Sequence, residues 1–271
     1  MAKWNKIKSR GNVSDRRGVS GTVVGGGIGG VLLLMGVTYL MGGNPLTVLL
    51  ETDPSVLTQS VSQEDTSQYE GMDEYEEFVS TVLGSTDDFW TTKFASQGRA
   101  YVQPELVLFR GSTQSGCGGA ASVIGPHYCP ADSTLYLDET FFTQLKNQLG
   151  ATGGDVAEAY VIAHEVGHHV QKLSGYLNYD RDDNQNSIAV ELQADCFAGL
   201  WASSLKGTGV FETENEIEEA IDAAAAVGDD SIQKRTSGQI SPETWTHGSS
   251  QERVQAFRNG YDSGDYQACI N

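Results

Sequence analysis

Three residues within one short stretch have the types and spacing needed for metal-assisted hydrolysis. His164 and His168 are four positions apart, so on a helix both imidazoles lie on one face and can bind a single ion. Glu165 follows the first histidine and can reach a water on that ion without binding the ion itself. This is the H-E-x-x-H pattern, in which two ligands and a general base serve hydrolysis. The sequence therefore predicts a zinc peptidase with one Zn²⁺ per chain.

A catalytic zinc needs a third protein ligand and keeps its fourth position for water. The extended pattern with a third histidine is excluded, because Gln171 and Ser174 occupy the positions of its glycine and histidine. We expect Glu191 to be the third ligand, and Asp195, one turn further on, to accept a hydrogen bond from a ligand histidine. The alternative for such an acidic pair is a solvated helix face. An inward-facing carboxylate is favoured by the apolar residues around the pair, which are Ala189, Val190, Ala194, Phe197, Ala198, Leu200 and Trp201.

Two further residues are candidates for the same site. His247 lies at a predicted loop-to-helix junction and could donate a hydrogen bond to the negative oxygen of a tetrahedral intermediate. Arg253 could pair with Asp195 or orient His247. The alternatives are a structural or exposed histidine and a surface ion pair. The acidic pair Asp229-Asp230 is interpreted as a helix terminator or a cation contact, not as catalytic.

The charge of the chain bears on its partners. Its 271 residues include 36 acidic and 17 basic side chains, a net charge of −19. The basic residues are concentrated at the N-terminus, so the remainder is strongly acidic. Such a surface repels nucleic acid, and we expect no nucleic-acid partner. The expected partner is a peptide or protein substrate.

One stretch has the composition of a membrane anchor. Residues 18–50 carry no charged side chain, and 22–43 is long and apolar enough to span a bilayer as one helix. Basic residues before it and acidic residues after it predict a single-pass protein of the bacterial cell membrane, with a cytoplasmic N-terminus and an extracytoplasmic catalytic domain. A cleaved signal peptide and a flexible glycine-rich linker are the alternatives. The glycine spacing in this helix, Gly25 with Gly29 and Gly26 with Gly30, is a weak indication of a homodimer.

The four cysteines fit an oxidising compartment outside the cytoplasm. Cys117 and Cys129 bracket a short glycine-rich loop, which leaves Cys196 and Cys269 as the other pair. We expect the disulfides Cys117–Cys129 and Cys196–Cys269, although the sequence alone allows three connectivities. Free buried thiols are the alternative.

These features predict four segments: a basic cytoplasmic tail (1–21), a transmembrane anchor (22–43), a linker (44–68) and a zinc metallopeptidase domain (69–271). Strand-like composition is found at 105–109 and 134–137, with a further short strand expected within 122–128. Helical periodicity is found at 73–95 with an interruption near Gly84, and at 139–149, 155–173, 187–205, 212–227 and 249–259. The predicted fold class is α+β: a mostly helical domain with a small β-sheet, preceded by one transmembrane helix.

The combination of motifs resembles a family of bacterial neutral zinc metallopeptidases, which are single-pass membrane proteins. The resemblance covers nearly the whole chain and rests on residues 4–6, 15–18, 125–132, 164–171, 191–202, 228–230 and 247–250, together with the glycine-rich stretch. More distantly, the order of elements is similar to that of minimal gluzincins of the membrane CAAX-protease and heat-shock-protease type. Those proteases have several spanning helices and this chain has one predicted, so we expect its chemistry outside the membrane.

The gluzincin resemblance implies a zincin-like domain with zinc on His164, His168 and Glu191. It also implies Glu165 as the catalytic base and His247 as the transition-state donor. An edge strand near residues 122–128 would then accept an extended peptide substrate.

The expected function is hydrolysis of peptide bonds in extracytoplasmic proteins or peptides, more as an endopeptidase than as an exopeptidase. One alternative is a catalytically inactive, zinc-stabilised binding or scaffold module at the cell surface. Another is an amide hydrolase that acts on cell-wall peptides. A structural zinc normally has four protein ligands and needs no general base, so Glu165 favours an enzyme.

Overall fold

The computed structural model describes residues 1–18, 72–121, 125–177, 184–213 and 215–270. In these ranges the α-helices are α1 (Glu74–Ser96), α2 (Thr140–Asn147), α3 (Asp155–Ser174), α4 (Asn184–Ser204), α5 (Asn215–Ala226), α6 (Asp229–Thr236) and α7 (Ser250–Ser263). The strands are β1 (Asn12–Asp15), β2 (Glu105–Phe109), β3 (Ser112–Ser115), β4 (Gly118–Ala121), β5 (His127–Cys129) and β6 (Thr134–Asp138). The expected α+β class, mostly helical with a small sheet, is confirmed.

The main sheet has the strand order β1-β2-β6-β5. β1 pairs with β2 and β2 with β6 in parallel, whereas β5 is antiparallel to β6 and forms an edge. The central strands are almost wholly buried, which explains their continuous apolar sequence. Leu106 and Leu108 face the main core, while Val107 and Phe109 join a smaller cluster with Ala120 of the β3–β4 hairpin. That hairpin was not predicted from the sequence.

Close helix contacts build the rest of the core. A Cβ on Gly199 of α4 would lie 1.9 Å from the carbonyl oxygen of Phe257 on α7, so only glycine allows this crossing. This close contact holds α7 against α4. It thereby brings together Asp195 of α4 and Arg253 of α7, which are far apart in sequence. The interruption expected in α1 near Gly84 is wrong: the helix is continuous, because this glycine packs against the backbone of Arg10.

Residues 1–18 belong to the same folded unit as the rest of the described chain. β1 is part of the main sheet, and Trp4 is buried in the main core. The composition instead predicts a folded domain that begins at residue 69 and a separate tail at 1–21. The reason for the difference is that exposed lysines dominate the composition here, while the buried Trp4 and Arg17 do the packing.

Both expected disulfides are present, Cys117–Cys129 and Cys196–Cys269. The second ties α4 to the short 3₁₀ turn Tyr266–Cys269 at the end of the chain. In the described part of the chain, no helix has both the length and the apolar character needed to cross a bilayer. The predicted anchor (22–43), its dimer contact and the linker (44–68) lie outside the described residues.

Candidate metal centre

Helix α3 carries the H-E-x-x-H motif through the interior of the protein. His164 and His168 are 7% and 5% exposed, and their rings lie 4.8 Å apart on the same face of the helix. Glu165 is 8% exposed and lines the adjacent cavity. The helix ends at Gly175, whose φ of 77° is the left-handed conformation typical of a helix C-cap. The motif therefore has the helical presentation that its spacing predicts.

Glu191 of α4 brings a third ligand group to the two histidines. Its carboxylate oxygens lie 3.2 Å from His164 Nε2 and 3.4 Å from His168 Nε2. One candidate ligand atom from each of the three residues lies within 4.8 Å of the others. Two imidazole nitrogens and one carboxylate oxygen are a donor set typical of catalytic zinc. The residues present therefore fit a zinc ion.

Asp195 lies behind His164 and is completely buried. Its Oδ1 accepts hydrogen bonds from His164 Nδ1 at 2.8 Å and from the Tyr160 hydroxyl at 2.6 Å. Arg253 of α7 donates to the same carboxylate from Nε at 2.8 Å and from Nη2 at 3.0 Å. Burial would raise the pKa of Asp195, but Arg253 and His164 lower it to about 2. The carboxylate is therefore ionised. Because it accepts the hydrogen bond of His164 Nδ1, the other ring nitrogen, Nε2, faces Glu191. Of the alternatives for Arg253, the structure shows the pairing with Asp195.

Gln171 supports the other histidine, a role that the sequence analysis did not identify. Its Oε1 accepts a hydrogen bond from His168 Nδ1 at 2.9 Å, and its Nε2 donates to the Val190 carbonyl at 2.7 Å. The side chain thus joins the ligand histidine to the helix that carries Glu191. The available signal was the three-residue spacing from His168, which places Gln171 on the same side of the helix. The Nδ1 atom of His164 therefore donates to a carboxylate, whereas that of His168 donates to a neutral amide.

The electrostatics of this group favour a cation. Burial would lower the pKa of His164, but Asp195 and Glu191 together raise it to about 10. Burial would also raise the pKa of Glu191, but His168 and His164 keep it well below its ordinary range. Two ionised carboxylates, the buried Asp195 and the partly buried Glu191, thus flank the imidazoles. A divalent ion can replace the protons that these imidazoles would otherwise hold.

His247 lies at the mouth of the cavity, with 51% of its side chain exposed. The carboxylate of Asp229 holds this loop by accepting the backbone N–H groups of Thr246, His247 and Gly248 at 2.8, 2.7 and 3.0 Å. It also lies 3.3 Å from His247 Nδ1. Burial would lower the pKa of His247, but the contact with Asp229 and the charge of Glu191 raise it. Asp229 therefore positions His247, which differs from the roles expected for it from the sequence.

His169 anchors α3 to the edge of the sheet. One ring nitrogen lies 2.9 Å from the hydroxyl of Tyr128 on β5, and the other lies 2.6 Å from the carbonyl of Val102. Burial lowers the pKa of His169 to about 4, so the ring is neutral. The edge strand is thereby held next to the metal-ligand helix.

A cavity of about 410 Å³ lies in front of the candidate ligands. His164, Glu165, His168, Glu191 and His247 line it. Residues 125–128, at and before the edge strand β5, line it as well. Apolar side chains complete the lining, namely Phe141, Leu149, Val161, Val227 and Ile232. This combination of apolar walls and convergent polar groups is typical of a ligand site.

The family model described as "Putative neutral zinc metallopeptidase" matches residues 2–271. The chain belongs to this family. The uncharacterized protein YpfJ of Escherichia coli strain K12 is 44% identical to this zinc metallopeptidase-family chain, over 98% of this chain and 97% of YpfJ. The uncharacterized protein Rv2575 of Mycobacterium tuberculosis strain H37Rv is 48% identical over 62% of each chain. No solved structure matches the chain.

Family membership supports zinc as the ion for the group of His164, His168 and Glu191. The structure brings these three residues together with the other site residues expected from the sequence, which are Glu165, Asp195, His247 and Arg253. Gln171 and Asp229 hold His168 and His247 in place, and His169 holds the edge strand next to α3.

Proposed function

We propose that this protein hydrolyses internal peptide bonds of extracytoplasmic proteins or peptides with the help of one zinc ion. The observation that carries the proposal is the convergence of three candidate ligands on one cavity, with Glu165 beside them. Among the described residues this group has three members, whereas a structural zinc normally takes four protein ligands. Membership of the zinc metallopeptidase family supports the same reaction class.

Each side chain of the site then has a distinct task. When bound, zinc supplies a water of lowered pKa and polarises the substrate carbonyl. Glu165 takes the proton of the attacking water and returns it to the leaving amine. His247 donates a hydrogen bond to the oxygen that becomes negative in the transition state. Asp195 and Gln171 keep the two ligand imidazoles in one tautomer and one orientation.

The cavity favours endopeptidase activity. An exopeptidase needs a charged group that binds the free terminus of its substrate. Among the described residues that line the cavity, the charged side chains of Glu191 and Arg253 are engaged with the histidines and with Asp195, and His247 is held by Asp229. Glu165 is required as the base and His247 as the transition-state donor, so none of the four is left to bind a chain terminus.

The proposed place of action is outside the cytoplasm, at the bacterial cell membrane. Two disulfides in the described domain favour an oxidising compartment. The uncharged residues 22–43 favour attachment to a bilayer.

Replacing the general base tests the proposal against an inactive zinc-stabilised module. Glu165→Gln should bind one zinc per chain, as the unchanged protein does, but lose roughly 10²- to 10⁴-fold in peptide hydrolysis. The measurement is cleavage of a broad peptide library by the full-length, zinc-loaded protein, with metal analysis of each sample. Glu243→Gln removes a carboxylate from an exposed position and serves as the matched control, with unchanged activity expected.

Two results would contradict the proposal. If the zinc-loaded protein cleaves no member of the library, the scaffold module is the better description. If Glu165→Gln cleaves as fast as the control variant, Glu165 is not the base.

A further inference from the structure

We infer that residues 1–18 lie on the same side of the membrane as the metal centre, so that residues 22–43 do not make a single crossing between them. This overturns the orientation that charge alone predicts, with the N-terminus in the cytoplasm and the domain outside. The inference concerns topology and does not depend on the peptidase activity.

β1 is one of the four strands of the main sheet. Asn12 to Asp15 pair in parallel with Glu105 to Leu108, in a continuous register. β2 is in turn paired with β6, which is followed along the chain by α2 and then by α3, the helix with the metal ligands. Strands in a sheet lie about 5 Å apart. A bilayer core about 30 Å thick cannot separate two strands that share hydrogen bonds.

Trp4 is buried in the main core of the domain. Its ring stacks on Trp201 of α4 at 6.4 Å between ring centres and meets Phe78 of α1 edge to face at 5.5 Å. Its indole N–H donates to Asp155 at 2.8 Å, and the same carboxylate accepts the backbone N–H of Ala2 at 2.9 Å. Asp155 is the first residue of the helix that carries the metal ligands. The start of the chain is therefore fastened directly to the catalytic helix.

Arg17, whose side chain is 1% exposed, lies in a cluster of ion pairs. The guanidinium lies 2.7 Å from Asp15, 2.9 Å from Asp73 and 2.8 Å from Glu139. A buried guanidinium requires such partners, since its charge is costly without them. Arg17 comes just before residues 19–71 and Asp73 comes just after them. Arg17 and Asp73, on either side of this segment, therefore lie in contact. A single crossing would instead separate them by the thickness of the bilayer.

Close backbone packing supports the same conclusion. A Cβ on Gly84 of α1 would lie 2.6 Å from backbone atoms of Arg10, so α1 has a glycine where the N-terminal segment passes. The Gly11 N–H donates to the Ser80 carbonyl at 2.7 Å, and the Ser80 hydroxyl donates to the Gly11 carbonyl at 3.0 Å. The N-terminal segment and α1 therefore pack in direct backbone contact and are joined by hydrogen bonds.

Two other arrangements lead to the same topology or fail. Exchange of β1 between two copies would still require residues 1–18 on the side of the domain. Two crossings by the intervening chain need roughly 40 apolar residues, and the uncharged stretch 18–50 is shorter than that. Neither arrangement therefore places residues 1–18 and the domain on opposite sides of the membrane.

Cysteine labelling of the full-length protein in spheroplasts tests the inference. Asn5→Cys reports on the N-terminal segment and Gln239→Cys on the catalytic domain, since both positions are exposed. The four native cysteines are paired in disulfides and do not react. A membrane-impermeant maleimide is applied before and after permeabilisation, and labelling after denaturation serves as the reference. We expect both positions to react at the same stage, whichever stage that is. Reaction of one before permeabilisation and of the other only afterwards would overturn the inference.

A covalent crosslink gives an independent readout. Asn12 and Glu105 are register partners, so Asn12→Cys with Glu105→Cys should form a disulfide. A protease site inserted within residues 44–68 then yields two fragments that stay linked until reduction. Asn12→Cys with Gln239→Cys is the matched control and should yield separate fragments. Separate fragments from both pairs would show that β1 is not in the sheet and would remove the basis of the inference.

Discussion

Asp195→Asn should weaken zinc binding, whereas Arg253→Met should not, although the two residues form one buried ion pair. Asp195 accepts the hydrogen bond of His164 Nδ1 at 2.8 Å, so its charge acts directly on a candidate ligand. Loss of such a partner typically costs 10- to 100-fold in metal affinity, which corresponds to roughly 1.4 to 2.7 kcal/mol. Removal of Arg253 leaves this hydrogen bond in place and takes a positive charge away from the site.

Stability should respond differently from zinc affinity. Either single substitution leaves one charge of the pair buried without its partner, at a cost of about 3 to 5 kcal/mol in the free energy of unfolding. The double variant, Asp195→Asn with Arg253→Met, removes both charges and should recover most of that loss. It should not recover zinc affinity, because the carboxylate behind His164 is still missing.

The assay combines two measurements on the full-length protein. Zinc dissociation constants come from competition with a chelator of known affinity, and unfolding free energies come from urea titration of metal-free samples. If the double variant recovers zinc affinity together with stability, the proposed effect of Asp195 on zinc binding through His164 is wrong. Asp195 would then act only through the fold and not through His164.

Three further predictions concern residues outside the ligand group. Asp229→Asn should lower the pKa of His247 towards its ordinary value, because the contact with Asp229 raises it. The alkaline limb of the kcat/KM profile should therefore move to lower pH. If this limb does not move, Asp229 does not act on catalysis through His247. Trp4→Ala should cost about 3 to 5 kcal/mol of unfolding free energy in urea titration, against less than about 0.5 kcal/mol for the exposed Asn5→Ala; equal effects would contradict the packing of the N-terminal segment. Burial raises the pKa of Asp87 to about 7, so folding binds a proton between about pH 4 and pH 7 and stability falls as the pH rises through that window. Asp87→Asn should therefore raise the melting temperature at pH 8 but not below about pH 4, and a pH-independent difference would show that titration of Asp87 is not the cause.

Local periodicity made much of the helical part of the fold predictable. All six predicted helices are present, with ends within four residues of the predicted positions, because the alternation of buried and exposed residues along a helix is a property of neighbouring residues. The eight-residue helix α6 was not predicted, since its sequence is polar and none of its residues is buried. β1 and the β3–β4 hairpin were missed for a similar reason. They are short, partly exposed and rich in residues that also form turns.

The candidate ligands were predictable because each belongs to a motif of fixed helical spacing. The supporting residues were predictable only in part. Asp195 was expected one turn after Glu191, and the structure places it there, behind His164. The pairing of Arg253 with Asp195 was one alternative among several, because the distance between α4 and α7 depends on a crossing that no local pattern describes.

Helical spacing along the chain was enough to identify the candidate ligand group: two histidines, the glutamate beside the first of them, and a further carboxylate, inside a chain with two cysteine pairs. The position of the N-terminal segment could be found only from contacts between distant residues. Its basic composition indicates a tail on the far side of a membrane, whereas strand pairing, the burial of Trp4 and the ion pairs of Arg17 place it in the domain. The physical reason is that charge statistics are summed along the chain, while strand pairing and buried ion pairs depend on contacts between residues far apart in sequence.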